Sequence, residues 1–201
     1  MKQSAFLAWT TRMPLIQRWG LMHTFQPENV SEHSHQVAVI AHLLTVIKNK
    51  KFGGKLVPEK AATIAIYHEI SETKLQDLSS MVKYHNPEFT REYKKLEKIA
   101  EKECLQSIPE DLRDEFAELI IQEEVDPQYK YIVKAADLLA ALIKTNNELR
   151  FNNDEFKNVK ENLDKKLGAL KVNMPEVAYF IDVFLVACTS TLDKLSDMDR
   201  E

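Results

Sequence analysis

The chain has 201 residues, of which 44% are hydrophobic and 29% charged, enough for one domain with a substantial core. A formal net charge of -4, with acids and bases interspersed, leaves no extended basic surface and argues against a nucleic-acid polymer as partner. Four glycines and seven prolines are too few for a turn-rich sandwich or barrel, and the two cysteines have neither metal-site spacing nor disulfide density; Cys104 and Cys188 are expected reduced, buried and inert.

The remaining signals favour long helices. No basic segment followed by an apolar run and a small-residue cleavage site opens the chain. The most apolar stretch near the C-terminus, 178 to 188, is interrupted by Asp182 and falls short of the ~20 residues that span a bilayer. A cytoplasmic protein without a membrane partner is expected. Taken in order, the apolar periodicity predicts helices near 3 to 17, 33 to 51, 58 to 72, 77 to 85, 88 to 106, 109 to 123, 127 to 151, 154 to 170 and 175 to 195. Gly53-Gly54, Asn86-Pro87, Asp126-Pro127 and Asn173-Met174-Pro175 separate them, and Asn or Asp before Pro suits the N-cap and N1 of a new helix. The basic run Lys48 to Lys51 precedes Gly53-Gly54 and reads as a helix end complementing the dipole. In the last two segments Leu163, Leu167, Leu170, Val177, Phe180, Ile181 and Phe184 form one apolar face, as scaffold helices require.

Several polar residues do not suit the faces they occupy. His33 shares a stripe with Val37, Ile40 and Leu44, so its imidazole points inward. On its own, a histidine so placed is more often a hydrogen-bonded core residue than a ligand. His68 and Glu69 end the apolar run 61 to 67, and Glu72 lies four residues beyond His68 on the same predicted face. Asp137 is surrounded at helical spacing by Val133, Ala140 and Ala141, where either a metal or an arginine such as Arg12, Arg18 or Arg150 could compensate it. Together, His33, His68, Glu69 and Asp137 offer two imidazoles and two carboxylates from three helices, a set that suits one divalent transition metal. His23, His35, His42 and His85 show no such pattern; His35 and His42 share a face and read as packing or surface residues.

The order His33, then His68 with an adjacent acid, then Asp137 resembles the H…HD…D signature of HD-domain phosphohydrolases. Arg18-Trp19, Asn29 to Ser34, Tyr67-His68, Ser71-Glu72, Asp77-Leu78, Val82 to Tyr84 and Lys134 to Asp137 are similar to the bacterial 5'-deoxynucleotidase branch, over nearly the entire chain. The resemblance implies an all-α, single-domain HD-type helical bundle over 1–201. It implies a metal of the cobalt, manganese or zinc class on His33, His68, Glu69 and Asp137, and a reaction in which metal-activated water removes the 5'-phosphate of a deoxyribonucleoside monophosphate. Arg18 would orient the phosphate and act in catalysis, Trp19 would press on the sugar and exclude a 2'-hydroxyl, and Glu72 would orient or deprotonate the water. Asp77, Leu78, Ser79 and Ser80 match the substrate loop, while His33, Glu69 and Asp137 border substrate as well as metal. Relatives form homodimers, so a homodimer is expected here.

The sequence departs from the family in two places. Glu69 stands where the family has aspartate, and the added methylene moves the carboxylate outward by roughly 1 Å or more. Zinc and manganese tolerate either, so an active but altered site is expected, with a weakened nucleotide-binding protein as the alternative. The loop Asp77-Leu78-Ser79-Ser80-Met81 also lacks the family's proline, which loosens it. The second enzymatic reading is a deoxynucleoside triphosphohydrolase.

Overall fold

The computed structural model describes residues 3–198 and 200. These are arranged as helices α1 (Phe6–Thr10), α2 (Val30–Phe52), α3 (Pro58–Tyr67), α4 (Glu72–Leu75), α5 (Ser80–Lys83), α6 (Pro87–Gln106), α7 (Asp114–Ile120), α8 (Pro127–Arg150), α9 (Lys157–Lys171), α10 (Pro175–Phe180) and α11 (Leu192–Met198). Extended pairing among the described residues is limited to one antiparallel bridge, Gln17 to Asn29. The all-α expectation holds.

The two longest helices carry the strongest local signals. Before α2 the Asn29 side chain accepts from the Glu32 amide at 3.0 Å, while the Glu32 carboxylate accepts from the Asn29 amide at 3.2 Å. This reciprocal cap starts the helix three residues earlier than the apolar stripe alone predicts. Gly53, at φ 70, ends it, with Lys50 and Lys51 in the last turn as the dipole favours. Asp126 caps α8 with Pro127 in its first turn. α2 packs against α3, α8 and α10, and α9 closes over α8. Val37, Leu44, Ile64, Ile132, Leu139 and Leu167 lie in the resulting core. Leu163, Val177 and Phe180 are buried there as the scaffold reading requires, with Leu170, Ile181 and Phe184 packed at its margin.

Five predicted helices are shorter than their patterns; of 109 to 123 only a 3-10 turn, Glu110–Leu112, and α7 are helical. Pro14 has no amide to donate inside a helix, so the segment 3 to 17 splits into α1 and a 3-10 turn, Met13–Leu15, with Pro14 in its first turn. The segment 58 to 72 stops at Tyr67: the amides of Ile70 and Glu72 bond three residues back, to Tyr67 and Glu69, and tighten the chain into a turn before α4. Only Ser80–Lys83 of the segment 77 to 85 is helical. At the C-terminal end α10 widens into a π-turn, Ile181–Leu185, and breaks at Ser190. There the side chains of Cys188, Thr189 and Ser190 bond back to the carbonyls of Phe184 and Val186, offering the backbone an alternative to the helix ladder. Cys104 is buried as expected, but Cys188 is exposed, because this break turns it off the packed face.

Glu148 holds the loop between the Met13–Leu15 turn and α2. It is 2% exposed and accepts from the amides of Phe25 (2.7 Å) and Gln26 (3.2 Å), from Asn153 Nδ2 (2.9 Å) and from the Lys144 ammonium. Burial alone would raise its pKa, but these donors win and bring it from 4.5 down to about 2. The unfolded chain then binds the proton more readily than the folded one, so this stability is complete above pH 4.5 and is lost as pH falls toward about 2. Glu148→Ala is expected to cost about 3 kcal/mol at neutral pH, because four donors lose their acceptor, and to flatten stability below pH 4.5; urea unfolding across pH measures both.

Candidate metal centre

Three stretches of chain deliver four side chains to one place. His33 comes from the first turns of α2 and is fully buried. His68 and Glu69 come from the turn that ends α3, and Asp137 from the middle of α8. One ligand atom from each of the four lies within 4.8 Å of all the others. His33 Nε2 is 3.2 Å from Asp137 Oδ1, His68 Nε2 is 3.4 Å from Glu69 Oε1, and the two imidazole centroids are 5.4 Å apart. The early end of α3 matters here, since the tight turn, not a continuous helical face, aims His68 and Glu69 inward.

The imidazoles are prepared as ligands. His68 Nδ1 donates to the Ala65 carbonyl at 2.7 Å, which leaves Nε2 as the lone-pair nitrogen facing the cluster. Burial lowers the His68 pKa, with the charges of Glu69 and Asp137 opposing and His33 reinforcing, so the ring favours its neutral, metal-binding form. Both nitrogens of His33 and Nε2 of His68 are buried without a hydrogen bond of acceptable geometry. Orphaned buried nitrogens are costly in a folded protein, and a cation that takes one lone pair from each ring lessens the cost. Burial works against ionisation of Asp137, yet His33, Lys134 and His68 outweigh it and hold the carboxyl well below its ordinary range. Two imidazoles with two carboxylates fit a divalent transition ion.

A second layer of charged groups surrounds the quartet. Glu72 opens α4 beside Glu69; burial, then the charges of Glu69 and Asp77, push its carboxyl from 4.5 up to about 10, against the pull of Arg18. Asp77 is raised by burial and by Glu69, with Arg18 and Lys83 opposing. Arg18 is buried among Glu28, Glu69, Asp137 and Asp77, whose charges outweigh its desolvation and raise its pKa. Its Nε is 3.1 Å from Glu28 Oε2, and Trp19 Nε1 donates to that same oxygen at 2.7 Å. Trp19 itself sits at φ 61, a left-handed conformation that a bulky residue rarely adopts. Its ring lies 5.2 Å from that of Phe156. Leu78 and Ser79 are half-buried and Ser80 is exposed; their loop approaches the quartet through Asp77.

Some expectations change. The partners of Asp137 are His33 and Lys134, the latter at 2.7 Å, and neither Arg12 nor Arg150 is among them. Arg150 instead donates to the Thr189 carbonyl. Glu72 reaches the site from a separate short helix and not from the same face as His68. His35 and His42 are exposed, in line with the surface reading. Glu28, which positions Arg18 and Trp19, and Glu148 are residues that the sequence did not single out, while Lys134 figured only within the motif Lys134 to Asp137, without a role of its own. Only the capping pattern that begins at Asn29 hints at Glu28, since it fixes where the loop must end. A cavity of about 450 Å³ opens beside the quartet, bordered by His68, Glu69 and Asp137 with Tyr131, Lys134 and Gln122. Another, of about 440 Å³, lies between the 25–28 loop and α8 and contains none of the four.

With this geometry the molecule can be set beside known proteins. The family model for 5'-deoxynucleotidase YfbR-like proteins matches residues 5–188. The 5'-deoxynucleotidase of Vibrio cholerae serotype O1 is 46% identical over 196 residues, covering 98% of this chain and 100% of the relative. 5'-Deoxynucleotidase YfbR of Escherichia coli (strain ATCC 8739) is 44% identical, with 98% of each chain covered. Among solved structures, an HD-domain phosphohydrolase from Listeria innocua superposes with a TM-score of 0.80 at 19% identity, over 93% of this chain and 89% of the other. Cyanophage S-2L HD phosphohydrolase DatZ, bound to dA and one catalytic Zn2+ ion, gives 0.63 at 17% identity, over 92% and 99%. At such identities these two likenesses establish the fold alone.

Proposed function

The chain belongs to the YfbR-like 5'-deoxynucleotidase family, and from that premise we propose that it hydrolyses deoxyribonucleoside 5'-monophosphates to deoxynucleosides and inorganic phosphate. The observation that carries the reading is the convergence of His33, His68, Glu69 and Asp137, with buried imidazole nitrogens that no protein group satisfies. These four would hold one divalent transition ion, which when bound supplies Lewis acidity toward the phosphoryl oxygens and the water. Glu69 keeps an oxygen within the cluster despite its extra methylene, which supports a working site over a silent one.

The protein's own residues account for orientation and proton transfer. Arg18 binds the phosphate: Glu28 fixes its Nε, and the other guanidinium donors are left for phosphate oxygens. Trp19 packs against the sugar, held by the same Glu28 oxygen and by Phe156, so a 2'-hydroxyl has no room. The loop Asp77, Leu78, Ser79 and Ser80 borders the sugar and phosphate from the other side. With the charges of Glu69 and Asp77 countered by a bound ion, the raised Glu72 carboxyl comes down, so that it is ionised and takes a proton from the attacking water, whose oxygen forms the new bond to phosphorus. The bond from phosphorus to the 5'-oxygen breaks, that oxygen leaves as the alcohol after taking a proton from solvent, and Glu72 returns its proton to solvent.

We also read 1–201 as one catalytic unit, acting in the cytoplasm as a homodimer. Among the described residues no helix is long and apolar enough to cross a membrane. Val183, Val186 and Leu192 at the C-terminal end are exposed apolar side chains that a second copy would cover. Incubation with dAMP and dATP, followed by separation of the products, tests the activity. Orthophosphate is expected from dAMP while dATP stays intact; triphosphate release from dATP would assign the chain to the triphosphohydrolase class instead.

A further inference from the structure

A phosphate monoester brings two negative charges to a site that already contains the carboxylates of Glu69 and Asp137. A divalent ion and Arg18, which is itself paired with Glu28, leave that total short of positive charge. Three lysines are close enough to be considered. Lys83 is spent on Glu97 at 2.5 Å and Lys130 on the Gln122 carbonyl at 2.9 Å. Lys134 differs: it borders the 450 Å³ cavity together with His68, Glu69 and Asp137, and its side chain is 63% exposed. Its ammonium donates to Asp137 Oδ2 at 2.7 Å, whereas Asp137 Oδ1 faces His33 at 3.2 Å. The two oxygens of Asp137 are therefore divided, one toward the quartet and one toward Lys134. An ammonium has three donors, so this contact leaves two for other acceptors.

We propose that Lys134 is a phosphate-binding residue of this site, one N–H on the outer oxygen of Asp137 and the others on the substrate's phosphate. The assignment rests on the deoxynucleotidase reading for its substrate, and its chemistry is that of any phosphate monoester or of inorganic phosphate. Lying on the cleft wall, Lys134 also provides the charge that the buried Arg18, already engaged by Glu28, does not supply alone.

The test uses the full chain loaded with Mn2+ and inorganic phosphate as probe, with calorimetry as readout. Lys134→Met is expected to weaken phosphate binding roughly tenfold and to raise KM for dAMP by a similar factor with a smaller change in kcat, as loss of one charged contact implies. Lys134→Arg is expected to recover most of the phosphate affinity, and Mn2+ affinity should change by less than about threefold in both variants. Unchanged phosphate affinity in Lys134→Met, with Mn2+ affinity down on the order of tenfold or more, would reduce Lys134 to a support for Asp137 and overturn the assignment. These titrations do not depend on turnover. Lysine-dependent phosphate binding by a wild-type protein inert toward dAMP would refute the deoxynucleotidase reading and leave this one standing.

Discussion

Asp137→Ala is expected to abolish stable metal binding and to lower turnover of dAMP by on the order of a thousandfold, about 4 kcal/mol in the barrier. The size follows from what the residue does. Its carboxyl is held ionised against burial by His33, Lys134 and His68, so it is the fixed negative charge around which the quartet closes. Removing it takes away one of four ligand atoms and the carboxylate that lies 3.2 Å from the fully buried His33 imidazole. The overall fold should survive, because the neighbours in α8 are apolar residues packed in the core independently of this side chain. Metal content by elemental analysis, circular dichroism and phosphate release on one preparation separate loss of the site from loss of the fold.

The second large effect is at Glu72. Glu72→Gln keeps the shape but cannot take a proton, so turnover should fall by roughly a hundredfold to ten-thousandfold while the metal stays bound. The substitution should also change how stability depends on pH. In the folded protein the Glu72 pKa is raised from 4.5 to about 10, so the folded state binds more protons than the unfolded chain between those values. Stability must then fall as pH rises through that window, and a divalent ion, countering the negative charge of Glu69 and Asp77, must lessen the fall. Chelator-treated wild type is expected to lose unfolding temperature between pH 5 and pH 9 more steeply than chelator-treated Glu72→Gln. Parallel curves would remove Glu72 from the role assigned to it.

The helical architecture was readable from the sequence because its strongest signals are local. Apolar spacing locates α2 and α8, and Asp126-Pro127 gives the start of the second to the residue. Local chemistry also explains where the reading failed. Pro14, the tight turn after Tyr67 and the back-bonding Cys188 to Ser190 each break a helix that periodicity would continue, since side-chain competition with the backbone does not alter the apolar pattern. The quartet was legible because burial of His33, His68, Glu69 and Asp137 is anomalous on any amphipathic helix. Glu28 and Glu148 were not, nor was a role for Lys134, because a glutamate or lysine on a helix face or in a loop is ordinary until its partner is known. Those partners, Arg18 with Trp19, Asp137, and the loop amides of Phe25 and Gln26, come from distant sequence or from a turn whose direction the sequence leaves open.

Most of the account depends on four side chains gripping a single ion. Crystals grown with Mn2+ and measured near the manganese absorption edge test this directly. One anomalous peak per chain is predicted, within about 2.0 to 2.4 Å of His33, His68, Glu69 and Asp137 together. A peak that omits Glu69 or His33, or no peak with the contact between His33 and Asp137 undisturbed, would contradict it.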